Sequence, residues 1–87
     1  MTDPTRTRNV ADDLRKYLAT QLRVARAESI GADEALVDRG IIDSIELMQI
    51  ASFVEATYGV EVADTDIVPE NFGSLAAIAD YVRRHER

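Results

Sequence analysis

The hydroxyl group of Ser44 is the group in this chain that could most readily take part in covalent chemistry. Asp43 precedes it directly, and Glu46 stands three positions after Asp43. This spacing is that of a capping box, in which the N-cap residue and the third helical residue exchange hydrogen bonds between side chain and backbone. We therefore predict that a helix begins here with Asp43 as its N-cap, and that Ser44 lies in its first turn.

The groups that would make Ser44 a catalytic nucleophile are scarce in the rest of the chain. A serine nucleophile needs a general base and a third group that orients the base, whereas the single histidine, His85, stands near the C-terminus. The chain has no cysteine, which excludes disulfides, thiolate metal sites and a cysteine nucleophile. Asp64 and Asp66 lack the glycine and the terminal glutamate of a calcium loop, and we interpret them as helix caps. A hydrolase that acts through Ser44 is therefore disfavoured as the function of this chain.

Helical spacing of apolar residues predicts the elements on either side of this site. A first helix is predicted from about residue 9 to about residue 25, with Asn9 as its N-cap. The second helix begins after Asp43, and Gly59 ends it. The apolar stripe of the first helix is Val10, Leu14, Leu18 and Leu22, and that of the second is Leu47, Ile50, Ala51, Val54 and Tyr58.

The remaining segments complete an all-helical pattern. Residues 60–62 alternate like a strand, but no partner strand is present, so we predict an extended connector. A short third helix is predicted within residues 67–72, followed by a last helix capped by Ser74. The long loop at 29–40 is expected to pack back on the core through Leu36, Val37, Ile41 and Ile42. The predicted fold class is therefore all-α, a small four-helix bundle with a short third helix and a long loop between helices 1 and 2.

Ile45 and Met48 form a second apolar stripe on the predicted second helix. With Ser52, they fall beside the core face and near the direction of Ser44. Either they pack under the preceding loop or they are exposed, and periodicity alone leaves both possibilities open. Exposed apolar residues beside Ser44 would indicate a surface for a partner.

Charge is distributed unevenly along the 87 residues. The whole chain has ten basic and sixteen acidic residues, yet residues 40–82 contain no Lys or Arg. Their acids are Asp43, Glu46, Glu55, Glu61, Asp64, Asp66, Glu70 and Asp80. Such a segment repels a phosphate backbone, which argues against nucleic acid as a partner, and it attracts a basic protein. An acidic surface also serves simply to keep a small domain soluble.

The residues around Ser44 resemble the attachment motif of the acyl carrier protein family. The motif lies in Arg39-Gly40-Ile41-Ile42-Asp43-Ser44-Ile45-Glu46-Leu47, where an Asp-Ser pair is followed by a bulky apolar residue. The segment 53–62 is similar to the second helix of that family and its exit, and 71–78 to the start of its fourth helix. The resemblance covers about residues 9 to 84, with the helix pattern at matching spacing.

The resemblance implies that Ser44 receives 4'-phosphopantetheine from coenzyme A, in a reaction carried out by a separate magnesium-dependent phosphopantetheinyl transferase. The arm then holds an acyl or aminoacyl group as a thioester, and the chain itself is not an enzyme. A helix N-terminus suits the phosphodiester, because it offers free N–H groups and the positive end of the helix dipole. The expected partners are the transferase, a loading ligase and a downstream transferase or synthase. The residues expected to face them are Asp43, Ile45, Glu46, Met48, Glu55, Asp64 and Asp66.

The chain departs from the fatty-acid-synthesis members of the family in its second helix. Ile45 follows the serine where Leu is common, and Gln49 and Ala56 stand where acids are common. The form Gly40-Ile41-Ile42-Asp43-Ser44 is similar to that of free-standing carriers for D-alanine, for amino acids in natural-product pathways and for unusual polyketide extender units. We therefore expect a specialised partner in natural-product or cell-envelope biosynthesis, and the choice among these cargoes stays open.

A competing function is a small acidic adaptor that binds a protein through Ile45 and Met48 and carries no prosthetic group.

The expected organisation is a flexible N-terminus at 1–8, a carrier domain at 9–84 and a tail at 85–87. No segment resembles a signal peptide, a membrane span or an interdomain linker, so we expect a discrete, monomeric, cytoplasmic protein.

Overall fold

Four α-helices make up most of the chain in a computed structural model that describes residues 6–85, with side chains from residue 10 onward. No β-strand occurs in this range, and residues 60–62 have no regular secondary structure. The all-α fold class is confirmed. The helices are α1 (Arg6–Thr20), α2 (Ser44–Tyr58), α3 (Pro69–Phe72) and α4 (Leu75–His85), with single 3-10 turns at Ala27–Ser29 and Asp64–Asp66.

The bounds of α1 differ from the prediction at both ends. Asn9 lies inside the helix and is therefore not its N-cap, while the helix ends at Thr20 instead of near residue 25. Arg23 and Arg26 adopt left-handed backbone conformations with φ of 56° and 58°, which a continuing helix excludes. Leu22 is half-buried against the core from the loop, so its helical spacing was misleading.

The predicted terminal segments overlap the first and last helices. Of the expected flexible N-terminus, residues 6–8 belong to α1, and residues 1–5 lie outside the described residues. Of the expected C-terminal tail, His85 is the last residue of α4, and residues 86–87 lie outside the described residues.

The loop between α1 and α2 is tied to α1 and to the junction between α3 and α4. The Arg15 guanidinium donates to the Ile30 carbonyl at 2.9 Å, and the Leu36 N–H donates to the Gly73 carbonyl at 2.8 Å. Leu36 and Ile42 are buried, as predicted. Val37 is 40% exposed, so its predicted core position is wrong, because Leu36 fills that position and the next side chain faces away.

The core lies between the three longer helices and this loop. α4 packs against both α1 and α3, and the Phe72 and Tyr81 rings meet at 5.2 Å between centroids. The stripe predicted for α2 is buried, with Tyr58 half-buried at the end of the helix, and α4 buries Leu75, Ile78, Ala79 and Val82. None of the helices in residues 6–85 is long and apolar enough to cross a membrane.

The Asp64–Asp66 turn does not have the capping role predicted for its two acids. Within the described residues, neither this 3-10 turn nor α3 has a side-chain cap, since Ala63 and Val68 occupy the N-cap positions. The Asp66 carboxylate instead accepts a hydrogen bond of 2.7 Å from the Tyr81 hydroxyl. Burial of Tyr81, together with this hydrogen bond, raises the pKa of Tyr81 to about 12.

The raised pKa of Tyr81 predicts a loss of stability at alkaline pH. The folded state holds the phenol proton more tightly than the unfolded state, in which tyrosine has its ordinary pKa of 10.0. This contribution to the free energy of unfolding is therefore complete below about pH 10 and declines as the pH rises through about 12. Urea unfolding of the parent and of Tyr81→Phe across this range measures it. Equal pH slopes in the two proteins would contradict the prediction.

Candidate functional site at Ser44

The N-terminus of α2 has the predicted capping box. The Glu46 N–H donates to Asp43 Oδ1 at 2.8 Å, and the Asp43 N–H donates to Glu46 Oε1 at 3.0 Å. The Leu47 N–H donates to the Asp43 carbonyl at 2.9 Å. The capping box thus provides partners for the N–H groups of Asp43 and Glu46, two of the four that a helix N-terminus leaves without intrahelical partners. The backbone of Ser44 is held at the first helical position.

Ser44 is exposed at this position. Within the described residues, its hydroxyl takes part in no hydrogen bond. Because the capping box serves the N–H groups of Asp43 and Glu46, those of Ser44 and Ile45 remain directed out of the first turn. The site therefore combines an accessible hydroxyl with free N–H donors at the positive end of the helix dipole, which fits a phosphate ester.

Exposed apolar side chains surround Ser44. Ile45 is 73% exposed and Met48 is 53% exposed, and with Val37 they are the exposed large apolar residues of the described part of the chain. We call these three residues the apolar rim. Packing of Ile45 and Met48 under the loop, one of the two possibilities left open by periodicity, is thus excluded.

A groove of about 490 Å³ opens beside Ser44. It runs between the start of α2, the long loop and the segment that contains α3. Its lining residues are Asp33, Ala35, Val37, Asp38, Ser44, Leu47, Ile67, Pro69, Gly73 and Ser74. The lining is apolar on the side of Leu47 and Ile67 and carries two carboxylates on the loop side.

The acids expected to face a partner are spread over two regions. Asp43 and Glu46 lie with Ile45 and Met48 in the first turns of α2. Glu55 is farther along the helix, where its Oε2 accepts a hydrogen bond of 2.8 Å from the Val62 N–H. On the 3-10 turn, Asp64 is exposed, whereas Asp66 is half-buried against Tyr81.

Residues of the long loop were missed by sequence reasoning as parts of the site. Asp33, Val37 and Asp38 line the groove, although they stand six or more positions before Ser44. No periodic pattern marks a loop residue as facing a groove. The one available signal was the long loop itself, since such loops are often functional.

The single histidine of the chain packs against Tyr81 of α4, apart from the residues that line the groove. His85 does not line the groove; its ring stacks on Tyr81 at 4.0 Å, and its Nδ1 lies 2.9 Å from the Tyr81 carbonyl oxygen. No group of potential metal-ligating side chains occurs within residues 6–85.

A small helical bundle with an accessible serine at a capped helix N-terminus defines a carrier type of protein. The sequence model of the family described as the phosphopantetheine attachment site matches residues 12–82. The chain belongs to this family, whose members covalently carry 4'-phosphopantetheine and are modified by transferases rather than being catalytic themselves. A comparison with curated proteins found no match.

Proposed function

We propose that Ser44 is the residue to which 4'-phosphopantetheine is attached, and that the chain delivers thioester-bound acyl or aminoacyl groups to biosynthetic enzymes. The observation that carries this proposal is the exposed Ser44 hydroxyl, which lacks a partner in the described residues and sits at the capped start of α2. Membership of the phosphopantetheine family supports it.

The chain's own residues have three tasks in this function. Asp43 and Glu46 hold the first turn, so that the hydroxyl keeps one position. The N–H groups of Ser44 and Ile45 offer hydrogen bonds to the phosphate, and the helix dipole favours its negative charge. When bound, the prosthetic group supplies a flexible arm with a terminal thiol that holds the cargo as a thioester.

The surroundings of Ser44 support enzymes with basic, partly apolar docking sites as partners. The apolar rim supplies contact area close to the arm, and the acids of α2 and of the Asp64–Asp66 turn attract positive charge. The partners in this proposal are a phosphopantetheinyl transferase, a loading ligase and a downstream transferase or synthase, in a cytoplasmic natural-product or cell-envelope pathway.

Intact mass after incubation with coenzyme A, magnesium and a promiscuous phosphopantetheinyl transferase tests this proposal. We expect a single phosphopantetheine increment. Absence of any increment, with a known carrier protein modified in the same reaction, would overturn the proposal. Modification at more than one residue would contradict the assignment to Ser44 alone.

The second candidate is an adaptor that binds a protein through the apolar rim without a prosthetic group. The observation that favours it is the 73% exposure of Ile45, since a large exposed apolar side chain often marks an interface. The adaptor predicts no mass increment with coenzyme A and undiminished partner binding by Ser44→Ala. The carrier function predicts the mass increment in the parent protein. It also predicts that Ser44→Ala loses the delivery of thioester-bound groups.

The apolar rim and the acids of α2 are expected to affect partner kinetics differently. Met48→Ala removes apolar contact and should raise the dissociation rate of the transferase or ligase about fivefold. Glu46→Gln with Glu55→Gln keeps hydrogen-bond acceptors while removing charge, so the association rate should fall about threefold at low salt and lose salt dependence. Stopped-flow kinetics at low and raised salt measure both effects.

The control for the charge variants is Glu28→Gln, an exposed acid that does not line the groove. Circular dichroism confirms the fold of every variant. Met48→Ala variants that unfold would refute the exposed position of that side chain. Equal effects per charge removed in Glu28→Gln and in the α2 pair would show that net charge, rather than its location, steers the partner.

A further inference from the structure

One wall of the groove beside Ser44 belongs to a segment with little regular structure. Ile67 and Pro69 line the groove, across from Leu47 of α2. They belong to residues 64–72, which consist of one 3-10 turn and the four-residue helix α3. We call these residues the wall segment. Its position decides how wide the groove is.

Most backbone hydrogen bonds of the wall segment stay within it. The Ile67 N–H donates to the Asp64 carbonyl at 3.2 Å, and the Val68 N–H donates to the Asp66 carbonyl at 2.9 Å. Such bonds preserve the local shape but do not hold the segment against the rest of the molecule. At its far end, the buried Phe72 ring anchors the segment in the core.

The near end of the wall segment is joined to α4 by a side-chain hydrogen bond from the Tyr81 hydroxyl, which also lies 3.4 Å from the Glu61 carbonyl oxygen. Ile67 at this end packs in part against the core. The Tyr81 hydroxyl donates to Asp66 Oδ2 at 2.7 Å, and the Tyr81 side chain is 1% exposed. Asp66 directly precedes the groove-lining Ile67. The Asn71 side chain donates to the Asp66 carbonyl at 3.0 Å, which couples the first turn of the segment to α3.

We propose that the hydrogen bond from Tyr81 to Asp66 is a latch that holds the wall segment in place, so that Tyr81 and Asp66 are positioning residues for the groove beside Ser44. When the latch opens, the segment swings about its Phe72 anchor and the groove widens. The latch thereby sets how well the groove shelters what Ser44 carries, a consequence that rests on the proposed function. The motion of the segment does not depend on that function.

The donor of the latch is present at every physiological pH. Burial raises the pKa of Tyr81 to about 12, so its hydroxyl retains the proton. Other charged groups near the pair are Glu55 and Arg84, whose guanidinium lies 5.9 Å from the Tyr81 ring centroid. The latch is therefore opened by mutation or by contact with a partner, and not by ordinary changes of pH.

Hydrogen exchange on the unmodified protein tests the latch. Tyr81→Phe keeps the ring that packs on Phe72 and removes only the hydroxyl. We expect the Ile67 and Val68 amides to exchange about fivefold to tenfold faster, the effect of one lost hydrogen bond. Amides in the middle of α2 should be unchanged. Unchanged exchange of the wall segment in this variant would overturn the proposal.

Tyr58→Phe is the matched control. It removes a hydroxyl that donates to Asp13 Oδ2 at 2.5 Å, a tyrosine–aspartate pair between α2 and α1 that does not line the groove. An equal increase in the exchange rates of the wall-segment amides in Tyr58→Phe would mean general destabilisation and would also overturn the latch.

Asp66→Asn retains an acceptor and should restore most of the protection from exchange that Asp66→Ala loses. Failure of this rescue would refute the role of the hydrogen bond.

A second measurement uses the loaded protein. With a short acyl thioester on the arm, hydroxylamine should cleave the thioester about fivefold faster in Tyr81→Phe than in the parent, and at the parental rate in Tyr58→Phe. A parental rate in Tyr81→Phe would refute the sheltering effect. If the chain accepts no phosphopantetheine, the proposed function fails, while the hydrogen-exchange result still decides whether the latch exists.

Discussion

Ser44→Ala is expected to abolish the phosphopantetheine increment completely. The hydroxyl oxygen is the atom that would bond to the phosphate, and alanine has no replacement for it. Intact mass spectrometry after reaction with coenzyme A and transferase gives an unambiguous readout. Ser52→Ala is the matched control, because Ser52 is also an exposed serine of α2 and should leave modification intact.

The fold of Ser44→Ala should be almost unaffected. Asp43 supplies the cap through its own side chain and carbonyl, and the Ser44 hydroxyl has no partner in the described residues. We expect the free energy of unfolding to change by no more than about 1 kcal/mol. Loss of modification is then attributable to the missing hydroxyl. An Ala variant that is still modified would refute Ser44 as the attachment residue.

Ile50→Ala is expected to have the largest effect on stability among single substitutions in α2. Ile50 is 0% exposed in the core. Truncation removes buried apolar volume and leaves a cavity, which typically costs about 2 to 5 kcal/mol. Domains of this size are stabilised by about 5 to 15 kcal/mol in total, so the variant should lose a large fraction of its free energy of unfolding.

Met48→Ala is the control for this truncation. It lies two positions away on the same helix, but its side chain is 53% exposed, so little burial is lost. We expect its free energy of unfolding to fall by about 0.5 kcal/mol or less. Urea denaturation followed by circular dichroism compares the two variants. Similar losses in both would contradict the division of α2 into a core face and an exposed face.

The bounds of α2 could be predicted because both of its ends are encoded in local residues. The Asp43–Glu46 pair forms a capping box whose atoms are three positions apart. At the other end, Gly59 adopts φ of 70°, which suits glycine and ends the helix. The Ser74 cap of α4 was predicted for the same reason, and its hydroxyl accepts from the Ala77 N–H at 3.1 Å.

The end of α1 could not be predicted, because its apolar spacing continues past the helix. Leu22 contacts the core from the loop, so its burial gives the same signal as a helical position. Arg23 adopts a left-handed backbone conformation, but an arginine in the sequence does not indicate such a conformation, whereas a glycine would. The spacing of apolar residues indicates which side chains are buried. It does not show whether the backbone that carries them is helical.

The sequence by itself determined the all-helical fold, the start and end of α2, and the position of Ile45 and Met48 on a second apolar stripe beside the core face, whereas their exposure was decided by the structure. These features depend on interactions between residues a few positions apart, which spacing displays directly. Only the tertiary structure decided that Val37 faces outward, that Asp33 and Asp38 line a groove with Ser44, and that Asp66 binds Tyr81. These pairs are brought together by packing of the loop, α3 and α4 around the common core, and such long-range contacts leave no periodic trace in the chain.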